Sequence, residues 1–153
     1  GFRIHECFRM DTAAAEQALR ENALTVKGKG GKVRTVPIED ERILMMLKRV
    51  LAQTERGHKL LVPDGMPTDR SINALELFIY RHRNEISDEG SDRRLTFHGL
   101  RHTYAAEKYT RLTEGGMSAI DAHYAVSRLL GHERADVTNI YLASVRKRGR
   151  DGE

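Results

Sequence analysis

The chain has 153 residues, 39% of them hydrophobic and 31% charged, which suits one globular domain with a buried core and excludes a chain disordered throughout. No apolar run approaches the roughly 18 residues of a membrane span, and the N-terminal stretch GFRIHECFRM lacks the continuous apolar region of a secretory signal. The single cysteine, Cys7, excludes an internal disulfide and fits a reducing cytoplasm, while a net charge of +4 permits nucleic acid as a partner without requiring it.

Gly1 has no methionine before it, so the sequence reads as if cut from a longer protein. Residues 2–10 mix apolar and charged side chains as a short helix would. The run AAAEQALREN predicts a helix over 13–20, with Asn22 as its stop. Two β-type runs, ALTVK (23–27) and VRTVPI (33–38), flank GKGGK and predict a hairpin with a loop longer than two residues. Asp40 is placed to cap a helix whose apolar stripe is Ile43, Leu44, Leu47, Val50 and Leu51. KLLVP (59–63) predicts a third short strand, closed by Pro63. Thr68 or Asp69 opens the next helix, with Ile72, Leu75, Ile79 and His82 on one face, and ISDEGSD (86–92) is a loop by composition.

Thr96 is the expected N-cap of a helix running to about Arg111, and Gly115 and Gly116 interrupt the chain after it. Ala119, Ala122, Val126, Leu129 and Leu130 form another apolar stripe, which Gly131 ends as a C-terminal glycine does. Asp136 is placed to cap a last short helix carrying Val137, Ile140 and Tyr141. The tail SVRKRGRDGE has no apolar pattern and is expected to be disordered. The sum is an α+β chain, mainly helical, with a small antiparallel three-stranded sheet near its front.

Several clusters carry chemistry. His98 and Arg101, three apart in HGLRH, would share one face at the start of a helix, where an imidazole, a guanidinium and free N–H groups form an anion cradle; a solvated helix start fits the same residues. His98 and His102 also have the four-residue spacing of a zinc pair, but Gly99 stands where a zinc protease has Glu, and Arg101 would sit beside the cation. GKGGK is not a nucleotide-binding loop, because Lys32 is followed by Val33 and a strand rather than by Ser or Thr and a helix. Lys27, Lys29, Lys32 and Arg34 crowd this hairpin, and Arg146, Lys147, Arg148 and Arg150 crowd the tail. Arg3 and Glu6 have the spacing of an intrahelical ion pair.

In order, GFRIHE, VKGKGGKVRTVPI, TFHGLRHTYA and LLGHERADVTNIYL resemble the motifs of the tyrosine recombinase, or phage integrase, family, and they run from Arg3 to Tyr141. The resemblance implies the catalytic domain of that family over residues 1–145, truncated at its N-terminus, followed by a basic tail over 146–153. It makes Arg3 and Arg101 the two catalytic arginines, Lys29 the hairpin lysine, His98 the first histidine, His132 the second and Tyr141 the nucleophile. Glu6 matches an acidic residue that supports the arginine rather than reacting. The interval from Arg101 to His132 is several residues longer than is typical, and TEGGMSAIDAHYA is expected to contain the insertion.

The implied reaction is cleavage and rejoining of DNA strands through a 3′-phosphotyrosyl link, with no metal or other cofactor. The implied partner is double-stranded DNA, gripped by Lys27, Lys32 and Arg34 of the hairpin and by the basic tail. The family resemblance also implies a homotetramer on DNA for a full-length protein, a monomer for a free fragment, and a bacterial, nucleoid-associated location without a membrane. A DNA-binding module without activity of its own and a type IB topoisomerase are the competing readings.

Overall fold

Residues that can cap a helix or leave it through the left-handed region set most element boundaries. The computed structural model describes residues 1–86, 95–132 and 138–139, apart from the side chain of Lys29. In chain order the elements are α1 (Ile4–Cys7), α2 (Thr12–Glu21), β1 (Ala23–Lys27), a 3-10 turn (Lys29–Gly31), β2 (Val33–Pro37), α3 (Glu41–Gln53), α4 (Thr68–Ile86), α5 (Phe97–Glu114) and α6 (Ala119–Leu130). The loop expected over 86–92 lies outside the described residues except for Ile86, which ends α4; of the expected last helix Thr138 and Asn139 are described, while Asp136, Tyr141 and the tail 146–153 lie outside.

The side chains of Asp11, Asp40, Thr96 and Ser118 accept from the backbone N–H of Ala14, Arg42, Gly99 and Asp121 at 2.8, 2.9, 2.9 and 3.1 Å. Each satisfies a donor that a helix start otherwise leaves open. Asn22 (φ 50°) turns the chain from α2 into β1, and Gly131 (φ 66°) ends α6.

The hairpin pairs Ala23 with Pro37 through to Lys27 with Val33, all antiparallel. Leu24, Val26 and Val36 are buried on one face, against which α2 packs with Ala15 and Ala18. Thr25 and Thr35 are paired on the other face, and their hydroxyls meet at 2.9 Å. On the far side of the molecule α5 packs on α6, and Ala105, Val126 and Leu130 are completely buried among Tyr104, Tyr109 and Leu112. α6 also touches β2, so the hairpin and the α5–α6 pair form one body.

The expected third strand is corrected. Among the described residues the sheet has two strands, and KLLVP contributes one isolated bridge, Lys59 to Asp11. Thr12 N–H donates to the His58 carbonyl at 3.1 Å and Leu60 N–H to that of Met10 at 2.9 Å, so this segment pairs with the entry to α2 and not with the hairpin. The partner chain becomes helical at Thr12, which stops the ladder after one bridge. The segment 113–125, expected as an insertion, completes α5, turns at Gly115 and Gly116 (φ 90°) and builds the first turns of α6. No helix among the described residues is long and apolar enough to cross a membrane.

Leu130 is the largest apolar side chain with no exposure at all. Leu130→Ala is expected to cost about 2–5 kcal/mol, seen as a lower urea midpoint with an unchanged m-value.

Candidate active site

The shortest helix carries the first site residue. Glu6, in α1, takes the Arg3 backbone N–H at 2.7 Å on Oε2 and the Arg3 Nη1 at 3.3 Å on Oε1. The Glu6 side chain is only 3% exposed, so its charge must be matched within the protein. Arg34 of β2 supplies the match: its Nη1 and Nη2 donate to the two Glu6 oxygens at 2.8 and 2.6 Å, a two-pronged pair. Burial alone would raise the Glu6 pKa, but the hydrogen bonds from Arg34 and the Arg3 backbone and the charges of both arginines hold it down at about 2.

Arg101 lies in the second turn of α5 and is 2% exposed. Its Nη1 donates to the Gly1 carbonyl, and its Nη2 donates to the Leu130 carbonyl at 2.5 Å and lies 3.3 Å from His132 Nε2. The end of α6 thus presents both a carbonyl and an imidazole to this guanidinium. His132 Nδ1 lies 2.9 Å from Thr138 Oγ1, and Thr138 is fully buried.

These contacts assign the His132 tautomer. A guanidinium only donates, so Nε2 accepts from Arg101 and the proton sits on Nδ1, which donates to Thr138. Burial first, and then the charges of Arg101, Arg3, Arg34 and His98, lower the His132 pKa to about 4, so the ring is neutral at pH 7.

The structure brings Arg3, Arg101 and His132 together, with His98 near enough to act on His132 electrostatically. His98 is exposed near the start of α5 and meets His102 edge to face at 4.9 Å. Lys27 and Lys32 are exposed on the hairpin. Arg34 is not: its side chain is 10% exposed and turned inward. The Lys29 backbone lies in the turn Lys29–Gly31, while its side chain and all of Tyr141 lie outside the described residues. Sequence reasoning missed Thr138, which carried no signal beyond its place six residues after His132.

The pH behaviour follows from two depressed pKa values. Folded His132 titrates near 4 against an ordinary 6.5, so the unfolded chain binds that proton first; its contribution is complete above about pH 6.5 and is lost as pH falls to about 4. Glu6, near 2 against 4.5, contributes fully above about pH 4.5 and loses its share as pH falls toward 2. Urea titrations from pH 7 downward are expected to show stability falling in both windows. The His132 ring shifts by NMR are expected to show the Nδ1–H form and a midpoint near pH 4. Thr138→Val, which keeps the shape and removes the hydroxyl, should cost about 1–3 kcal/mol by leaving Nδ1–H without its partner.

The profile of the phage integrase family matches residues 1–148. The tyrosine recombinase XerD of Pseudomonas putida (strain KT2440) is 29% identical over 130 residues, which are 80% of this chain and 39% of XerD. The crystal structure of XerA recombinase is similar in fold, with a TM-score of 0.66 at 20% identity, over 99% of this chain and 53% of that one. The chain therefore spans well under two thirds of the length of each of these two proteins. With Arg3, His98, Arg101 and His132 all inside the matched stretch, the chain belongs to the phage integrase family.

Proposed function

We propose that this chain is the catalytic part of a site-specific DNA recombinase, acting through a 3′-phosphotyrosyl intermediate on Tyr141. The observation that carries the reading is that Arg101 lies against His132 while Arg34 links the same end of α6 to Arg3 through the buried carboxylate of Glu6, a group of basic side chains held in one place. Such a group suits an anion whose charge grows during reaction, as the non-bridging oxygens of a phosphodiester do.

In this reading the phenolate oxygen of Tyr141 attacks phosphorus and the P–O5′ bond breaks. The 3′ side stays on the enzyme and the 5′-oxygen leaves with a proton from Lys29. Arg3 and Arg101 stabilise the non-bridging oxygens with planar guanidinium groups, Arg101 by exchanging its Nη1 bond to the Gly1 carbonyl for one to the phosphate. Their positive charge also favours ionisation of a phenol whose ordinary pKa is about 10. Reversal by a 5′-hydroxyl from another strand rejoins DNA without ATP, because the phosphotyrosyl bond keeps the ester energy. The arginines supply the charge stabilisation, so the proposed reaction calls for no metal. Lys27, Lys32 and the basic tail grip backbone phosphates in a salt-sensitive way. The acting unit is a homotetramer on two duplexes.

His132 has a defined part in this chemistry. As it stands, Nε2 accepts. A phosphate brought against it would add negative charge, raise its proton affinity and turn Nε2 into a donor, while Nδ1–H keeps its bond to Thr138.

Tyr141→Phe is expected to abolish the covalent adduct with a nicked DNA site while leaving most binding; a Phe variant that still forms the adduct on a denaturing gel would remove Tyr141 from its role. Lys29→Ala is expected to slow cleavage of a normal site and to recover on a site with sulfur in place of the 5′-oxygen, a leaving group that needs no acid. Absence of recovery would count against Lys29 as the acid. Relaxation of supercoiled DNA without joining of paired sites would favour a topoisomerase instead.

A further inference from the structure

Arg34 stands in the basic hairpin, where a phosphate contact is the natural expectation, yet each of its three nitrogens donates inside the protein. Nη1 and Nη2 grip the two Glu6 oxygens at 2.8 and 2.6 Å, and Nε donates to the Leu129 carbonyl at 2.9 Å. Glu6 in turn holds Arg3, and Leu129 lies three residues before His132 at the end of α6. The Phe2 ring lies 5.8 Å from the Arg34 guanidinium carbon.

Two glycines make room for this side chain. A Cβ at Gly131 would stand 3.1 Å from Arg34 Cδ and Nη1, and one at Gly28 would stand 3.4 Å from Arg34 Nη1 and Glu6 Oε1. Gly28 N–H donates to the Lys32 carbonyl at 2.7 Å and closes the turn that carries Lys29, so the base of that turn rests on the Arg34–Glu6 pair.

We infer that Arg34 is a positioning residue, whose guanidinium ties the Arg3 segment, the base of the Lys29 hairpin and the His132 end of α6 into one catalytic geometry, and that it is not a DNA contact. Arginine is needed there because one planar fork reaches both carboxylate oxygens while its Nε reaches a carbonyl on another element. A lysine ammonium offers a single point of contact and cannot hold both. The inference rests on the recombinase reading for its catalytic consequence, but the tie itself is a property of the protein without DNA.

The test uses the chain together with any flanking sequence its gene encodes. Arg34→Lys is compared with the double variant Arg34→Gln/Glu6→Gln, which leaves no buried carboxylate unmatched and so keeps the test valid if the single variant does not fold. Backbone hydrogen exchange is expected to rise together at residues 28–33 and 131–132, with α4 unchanged as an internal control. Cleavage of a nicked site at saturating DNA is expected to fall on the order of 10- to 100-fold, the usual consequence of a small misplacement of reacting groups. The slope of log affinity against log salt is expected to stay at the wild-type value, whereas Lys27→Gln should flatten it by about 0.9, one phosphate contact.

A slope reduced by one contact in the Arg34 variants, with normal cleavage at saturation, would make Arg34 a phosphate ligand and overturn the inference. So would unchanged exchange at either segment. If the wild-type protein forms no adduct, the recombinase reading falls, and the exchange data alone then decide whether Arg34 ties the segments together.

Discussion

A carboxylate buried at Glu6 is the constraint around which the basic side of this molecule is arranged. An ionised group removed from water must be matched by charge and hydrogen bonds, or it neutralises itself at large cost. Glu6 is matched by the fork of Arg34 and by the backbone and side chain of Arg3, and its pKa near 2 shows that the match exceeds the cost of burial. Because the partners come from α1 and β2, the match also sets where these elements stand. The third Arg34 bond, to Leu129, extends the arrangement to α6.

Arg101 is buried by a different device. Among the described contacts it donates to the carbonyls of Gly1 and Leu130 and faces the neutral ring of His132. The carbonyl dipoles hold the guanidinium in place. The Leu130 carbonyl is at the C-terminal end of α6, where the helix dipole favours a cation. One helix end therefore positions Arg101 through its last carbonyls and His132 through the turn that Gly131 makes after it.

Much of this was legible in the sequence, and the limits are physical. Asn22, Asp40, Thr96 and Gly131 were readable because capping and left-handed turns depend on a few neighbouring atoms. KLLVP was readable as extended chain but not as unpartnered by the hairpin, since pairing is set by distant segments. Arg34 is the more instructive case. Alternation along VRTVP puts Val36 inward and Thr35 outward, and the same period puts Arg34 inward beside Val26, its partner across the strands. The pattern was present, but a cation in a basic loop invites the solvent-facing reading, and only the position of Glu6 shows what it pairs with. The pairing of His132 with Thr138 joins residues six apart, and neither residue type announces it.

The clustering of guanidinium groups bears on the chemistry proposed for the site. Arg3, Arg34, Arg101 and His98 all act on His132, and their combined field with burial keeps it neutral well below its ordinary titration range. Bringing the three arginines together costs the folded protein, because like charges held apart from water repel. The fold bears that cost through local ties: Glu6 for Arg3 and Arg34, and helix-end carbonyls for Arg101. These ties hold the guanidinium groups in position. A phosphate bound against them would add a further tie, so the energy of its binding and the stability of the folded chain would be linked through the same residues. In such a site, relief of repulsion is greatest where negative charge is greatest, which during phosphoryl transfer is the transition state rather than the ground state.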